Sequence, residues 1–147
     1  MALKPDRIEL QTDISFFMNT EAVRGGVASV STGGSGVAMD DGNAVVSYVA
    51  VAANAKPVGV LLNDVVNLDL TRQHINWHRD EVQVGGKVTL LQVGQVTTDK
   101  VSGSPVAGDV AYVGASGLIA TSGTATVGKF LSGKDADGFA KVAVNIA

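Results

Sequence analysis

Cysteine is absent from this 147-residue chain. Neither a disulfide framework nor a thiolate metal site can form, and redox chemistry by its own side chains is not expected. Aromatic residues make up only 5% of the sequence, seven positions in all, too few for the aromatic platforms usual in a glycan-binding module. There are three prolines and two histidines. Long apolar runs are missing too. The richest Ala/Val stretch, Val45 to Ala55, contains Ser47 and Tyr48 and falls well short of the ~20 residues that span a bilayer. The opening Met-Ala-Leu-Lys-Pro-Asp has no apolar core after its first charge, so a signal peptide is not expected, and no Asn-x-Ser/Thr acceptor occurs. A net charge of −3, with basic residues mostly dispersed, argues against nucleic acid as a partner. These absences lead to the expectation of a soluble, unexported protein with no membrane partner.

What is abundant is valine, at 24 positions, and glycine, at 18. Stiff β-branched side chains suit a pleated, half-buried surface, and frequent glycine supplies turns and bulges. The chain also repeats itself. Gly25-Gly26-Val27-Ala28-Ser29-Val30 returns 83 positions later as Gly108-Asp109-Val110-Ala111-Tyr112-Val113, with four of six residues identical. Ser35-Gly36-Val37 is echoed by Ser116-Gly117-Leu118, and Pro57 to Leu62 by Thr126 to Leu131. No acid, base or nucleophile recurs with the repeat, so what is duplicated is scaffold. The expected fold is mainly β: a compact β-sandwich or barrel-like domain of two related β units, with an extended N-terminal arm.

Residues 1–24 form that arm and residues 25–147 the β-rich domain. From Ile8 to Met18 apolar and polar residues alternate with period 2, broken by Phe17, which predicts a long amphipathic strand. Further strands are predicted at Val27–Val30, Val45–Val51, Val58–Leu62, Val82–Val84, Val88–Leu91, Val93–Thr97, Lys129–Leu131 and Phe139–Ile146. A short helix competes over Val49–Ala55. Gly94 marks a hairpin or bulge, and Asp135-Ala136-Asp137-Gly138 a hairpin turn. Because the repeat begins at Gly25, both units are expected to fold without the arm.

Candidate catalytic and metal motifs fail on spacing. His74 and His78 are four apart, but His-Ile-Asn-Trp-His lacks the Glu of a zinc protease and has no third ligand in sight. Gly85-Gly86-Lys87-Val88 lacks the first glycine and the closing Ser/Thr of a phosphate-binding loop, and Gly33-Gly34-Ser35-Gly36 lacks dinucleotide spacing. Asp135-x-Asp137-Gly138 begins like a calcium loop but no bidentate Glu closes it. No metal, cofactor or catalytic residue is expected, and the chain is not read as an enzyme.

Two features point instead to contacts with other proteins. One is the arm, with Ile8, Leu10, Ile14, Phe16, Phe17 and Met18. The other is the Arg72–Glu81 block, which places Arg72, His74, Trp77, His78 and Arg79 in a stretch without Gly or Val. Trp77 is either a core residue or an interface anchor, since Trp and Arg are enriched at binding hot spots. The arm is either an ordinary first strand or one that pairs with a partner's sheet edge.

The stretch Lys56-Pro57-Val58-Gly59-Val60-Leu61-Leu62-Asn63-Asp64-Val65-Val66-Asn67-Leu68-Asp69-Leu70-Thr71-Arg72-Gln73-His74-Ile75-Asn76-Trp77-His78-Arg79-Asp80-Glu81 resembles a segment of the capsid decoration (cement) proteins of tailed bacteriophages. Gly85 to Leu91 and Ala107 to Val113 are similar to the same group, so the resemblance covers most of the chain beyond the arm. It implies a structural virion protein on the exterior of the phage head, made in the host cytoplasm, that bridges major capsid subunits and stabilises the expanded shell. The implied partners are the major capsid protein and the chain itself, as a homotrimer. The alternative reading is a head or tail fibre component, or a host-surface (glycan) binding module.

Overall fold

The computed structural model describes residues 3–20, 22–32, 45–51, 53–63 and 88–146. Among these, ten strands form a single open sheet: β1 Ile8–Asp13, β2 Phe17–Met18, β3 Val27–Thr32, β4 Val45–Ser47, β5 Pro57–Leu61, β6 Leu90–Thr98, β7 Val110–Val113, β8 Ile119–Ala120, β9 Thr126–Phe130 and β10 Ala140–Asn145. The only helical piece among them is a 3₁₀ turn at Ala115–Gly117. The order is β2-β4-β3-β5-β6-β10-β9-β7-β8, with β1 also paired to β6. The protein is therefore mainly β, and since the sheet does not close, it is sandwich-like and not a barrel.

The sequence repeat is a repeat of backbone hydrogen bonds. Gly25 N donates to Leu61 O at 2.9 Å, as Gly108 N does to Phe130 O at 2.8 Å. Leu61 N returns to Gly26 O, and Phe130 N to Asp109 O. Val30 N to Lys56 O is matched by Val113 N to Ala125 O, and Leu62 N to Thr89 O by Leu131 N to Lys141 O. The pairs Val27↔Val60, Ala28↔Gly59 and Ser29↔Pro57 recur as Val110↔Lys129, Ala111↔Gly128 and Tyr112↔Thr126, with the register shift at the same step. Each unit opens on a glycine in the left-handed region, Gly25 at φ 104 and Gly108 at φ 96, a conformation that side chains resist. The glycine of each Val-Gly pair has its own reason. A Cβ on Gly59 would lie 2.9 Å from Leu91 O, and one on Gly128 would collide with Ala143 O, the equivalent carbonyl.

This equivalence extends into the arm. Met18 pairs in parallel with Val46, and Val101 bridges in parallel to Ile119; Asn19 N then donates to Val46 O as Ser102 N does to Ile119 O. Thr12↔Leu91 and Asp13↔Leu90, between β1 and β6, correspond to Gln95↔Ala143 and Val96↔Val142, between β6 and β10. β1 is thus the first strand of the first unit, and β6 serves twice, closing the first unit and opening the second. The shared pairing partner β1 shows that β5 and β10 follow one another along the opposite edge of β6.

The core is layered accordingly. Met18, Ala28, Val46, Leu61 and Leu90 are buried together on one face of the first unit, under Phe16 and Ala22. Their equivalents Val101, Ala111, Ile119, Phe130 and Val142 are buried on the matching face of the second unit. Val27, Val60 and Leu91, on the back of the first unit, join this second cluster. The first unit is therefore covered on both faces, with the second unit stacked on its back. The residues equivalent to Val27 and Val60 in the second unit are Val110 and Lys129, both exposed, and the stack ends there against solvent.

Several sequence expectations are corrected. The long N-terminal strand is broken by a turn in which Ser15 N donates to Asp13 Oδ1 at 2.7 Å, separating β1 from β2. Val88–Leu91 and Val93–Thr97 are not two strands, because Gly94 lies inside the continuous β6 and admits the backbone of Ile8 in place of a side chain. The described part of Val49–Ala55 is a turn with Asn54 at φ 61, not a helix. The strand predicted at Val82–Val84 lies outside the described residues.

Candidate functional site

Among the described residues β1 holds to the sheet by one edge only. Among the described residues its other edge has no partner strand, and Ile8 through Thr12 are exposed. Ile8, Leu10 and Ile14 are 49%, 74% and 63% exposed, which is unusual for large apolar side chains clustered on one segment. Leu10 falls at the register shift between Glu9 and Gln11, and Gln11 Nε2 donates to Gln92 Oε1 at 2.8 Å across the irregular stretch.

The rest of the arm behaves differently. Met18 is 0% exposed within the first unit's core, so its place among the contact candidates is corrected: it is a core residue. Phe16 packs against the same core and, like Phe17, is half-buried. Leu3 is buried in the main core, where it bridges to Thr98 at the far end of β6. The boundary at residue 24 therefore does not separate an arm from a domain.

Arg72, His74, Trp77, His78 and Arg79 lie outside the described residues. The points where their segment leaves and rejoins the sheet are described. Leu62 N donates to Thr89 O at 3.0 Å, and Thr89 N to Asn63 Oδ1 at 3.0 Å, clamping both ends together. Val88 N donates to Phe16 O at 3.1 Å. The connection bearing these residues is thus rooted at the same end of the first unit as Ile14 and Phe16. It is an insertion into the repeat: 28 residues separate Leu61 from Leu90, whereas 11 separate the equivalent Phe130 and Val142.

The equivalent connection in the second unit is a tight turn built on Asp135. Its Oδ1 accepts from Asp137 N at 2.9 Å and Phe139 N at 3.0 Å, while Oδ2 lies 3.8 Å from Lys4 Nζ. The hydrogen bond from Phe139, helped by those from Asp137 and Gly138 and by the Lys4 charge, holds this carboxyl below its ordinary pKa. The same ammonium sits 4.5 Å from the centre of the Phe139 ring. Asp135 thus organises a turn and anchors the N-terminal segment. Among the described residues no three His, Cys, Asp or Glu side chains gather where they could hold a metal.

Sequence reasoning missed Tyr48. Its hydroxyl donates to Val23 O and accepts from Gly26 N at 3.1 Å. A Cβ on Gly117 would lie 2.6 Å from its ring, and beside it Ser116 N donates to Val49 O at 2.7 Å. Tyr48 therefore joins the start of the first unit to the 3₁₀ turn of the second. An isolated Tyr in a Val/Ala-rich stretch was its only sequence signal. Compared with known proteins, no protein-family model matches the chain and no curated protein matches it significantly.

Proposed function

We propose that this chain is a structural protein of a tailed-bacteriophage head, which binds the outer surface of the shell and bridges major capsid subunits. The observation that carries the reading is the insertion between Leu61 and Leu90. Two units share register and hydrogen bonds, and the first alone carries a long connection, containing both histidines, the only tryptophan and two arginines. Binding residues are disproportionately found on loops held by a rigid scaffold. The sequence resemblance includes this connection and supplies the identity of the partner. Arg72, His74, Trp77, His78 and Arg79 are assigned to the capsid contact, with Ile14 and Phe16 at the root of the connection. Such a protein acts by mass action: binding only the assembled shell stabilises it by RT ln(1 + [L]/Kd) per site, and an oligomer that engages several subunits adds effective concentration.

The test is co-sedimentation with purified expanded heads that lack decoration, followed by electron cryomicroscopy. Saturable binding at defined surface positions is expected. Failure to bind heads, with adsorption to host cells instead, would replace this reading with the fibre or host-surface module.

A further inference from the structure

The internal repeat specifies what belongs on the open edge of β1. β1 and β6 are equivalent first strands of their units. On β6 the edge opposite β10 is filled, and the strand that fills it is β1, antiparallel, with Gln95↔Ile8 and Gly94↔Glu9. Carrying these pairs back by the 83-residue offset turns Gln95 into Thr12 and Gly94 into Gln11. The open edge of β1 should therefore receive an antiparallel strand whose Ile8 faces Thr12 and whose Glu9 faces Gln11.

That register is self-complementary. Thr12↔Leu91 and Asp13↔Leu90 carry back to Thr12↔Ile8 and Asp13↔Arg7, so the outer pairs recur when two copies of β1 are exchanged about an axis at Leu10, and only the bulge pair Gln11↔Val93, which gives Gln11↔Leu10, departs from it. One residue beyond, Arg7 of each copy falls opposite Asp13 of the other. Arg7, already paired with Glu9 at 2.6 Å in the single chain, gains a second carboxylate at each end of the pairing, and the most exposed apolar residue of the strand, 74% exposed in the single chain, lies at its centre. A contact that uses the same patch on both partners closes on itself.

We infer that this chain pairs with a second copy of itself through β1, antiparallel and centred on Leu10, extending the sheet across a two-fold axis. The contact yields a dimer in place of the homotrimer implied by the resemblance, and it does not depend on the capsid reading.

Light scattering on the full chain should give twice the chain mass of 15.0 kDa. Leu10→Lys sets two ammonium groups against each other at the axis and should weaken association by at least about tenfold. Because Leu10 is exposed in the single chain, this variant should keep its circular dichroism, and its melting temperature should lose the concentration dependence that a dimer confers. Leu10→Cys should form a disulfide dimer readily, since facing residues of antiparallel strands bring their Cα atoms within disulfide range. Val106→Cys, exposed on the second unit, is the control in a chain otherwise free of cysteine. A monomeric or trimeric mass overturns the inference. So does a dimer indifferent to Leu10→Lys, or a cysteine at 10 that links no faster than one at 106. Because mass and cross-linking are read without capsids, failure here is distinct from failure to bind heads.

Discussion

Single positions decide where the stack of units stops. Val60 and Lys129 occupy equivalent places, each paired to the last strand of its unit, yet Val60 is fully buried against the second unit and Lys129 faces solvent. Val60→Lys would strand an unpaired ammonium between two layers and should destabilise by more than about 4 kcal/mol. Lys129→Val should change stability by no more than about 0.5 kcal/mol while enlarging an exposed apolar face. Urea denaturation of the two variants checks the contrast, and comparable losses would show that the units do not stack as described. Asp135 adds a pH dependence. Its folded pKa is depressed, so its contribution to stability is present above the unfolded carboxylate value and is lost as pH falls through the folded one. Asp135→Asn should therefore be less stable than the parent at neutral pH and show a flatter acid limb, the two urea-denaturation profiles converging as the pH falls through the folded carboxylate value.

At the scale of elements, β6 is the hinge of the architecture. Its first residues close one unit, its last open the next, and the segment from Leu3 to Asp13 runs along its other edge. Removing residues 1–19 deletes Met18 and Leu3 from two buried clusters and exposes a long edge of β6. A chain beginning at Thr20 is therefore expected to aggregate or to lose its cooperative melting transition, contrary to the expectation drawn from where the sequence repeat begins. Met18→Ala alone should cost ~2–5 kcal/mol. A soluble, cooperatively melting truncation would mean that the second unit folds without the first strand of the first.

At the scale of the whole molecule, a duplicated scaffold carries its largest insertion in the first unit, between Leu61 and Leu90. Two uses are proposed for it: the insertion for a capsid partner, the β1 edge for a second copy. Trp77→Ala separates the alternatives for the insertion. An anchor at a capsid contact should lose ~2 kcal/mol or more of binding with folding unchanged, whereas a core residue should lose ~3–5 kcal/mol of folding stability. Binding to heads and thermal unfolding measured on the same variant decide between them.

The β class, the duplication and the turn at Asp135–Gly138 were legible in the chain, because valine content, glycine positions and period-2 alternation act locally on the backbone. The repeated Val-Gly pairs were legible as a pattern, but their cause, a carbonyl of the next strand where a Cβ would sit, needed the pairing. Alternation from Ile8 to Met18 states that a strand has two faces. It does not state what lies against them, and the structure leaves Ile8 and Leu10 exposed while burying Met18. Likewise nothing near Val60 or Lys129 in sequence distinguishes a face covered by a second unit from the end of a stack. Local chemistry set the strands and their turns. Burial was decided only by the tertiary structure, because the atoms that exclude water from a residue come from strands far away along the chain.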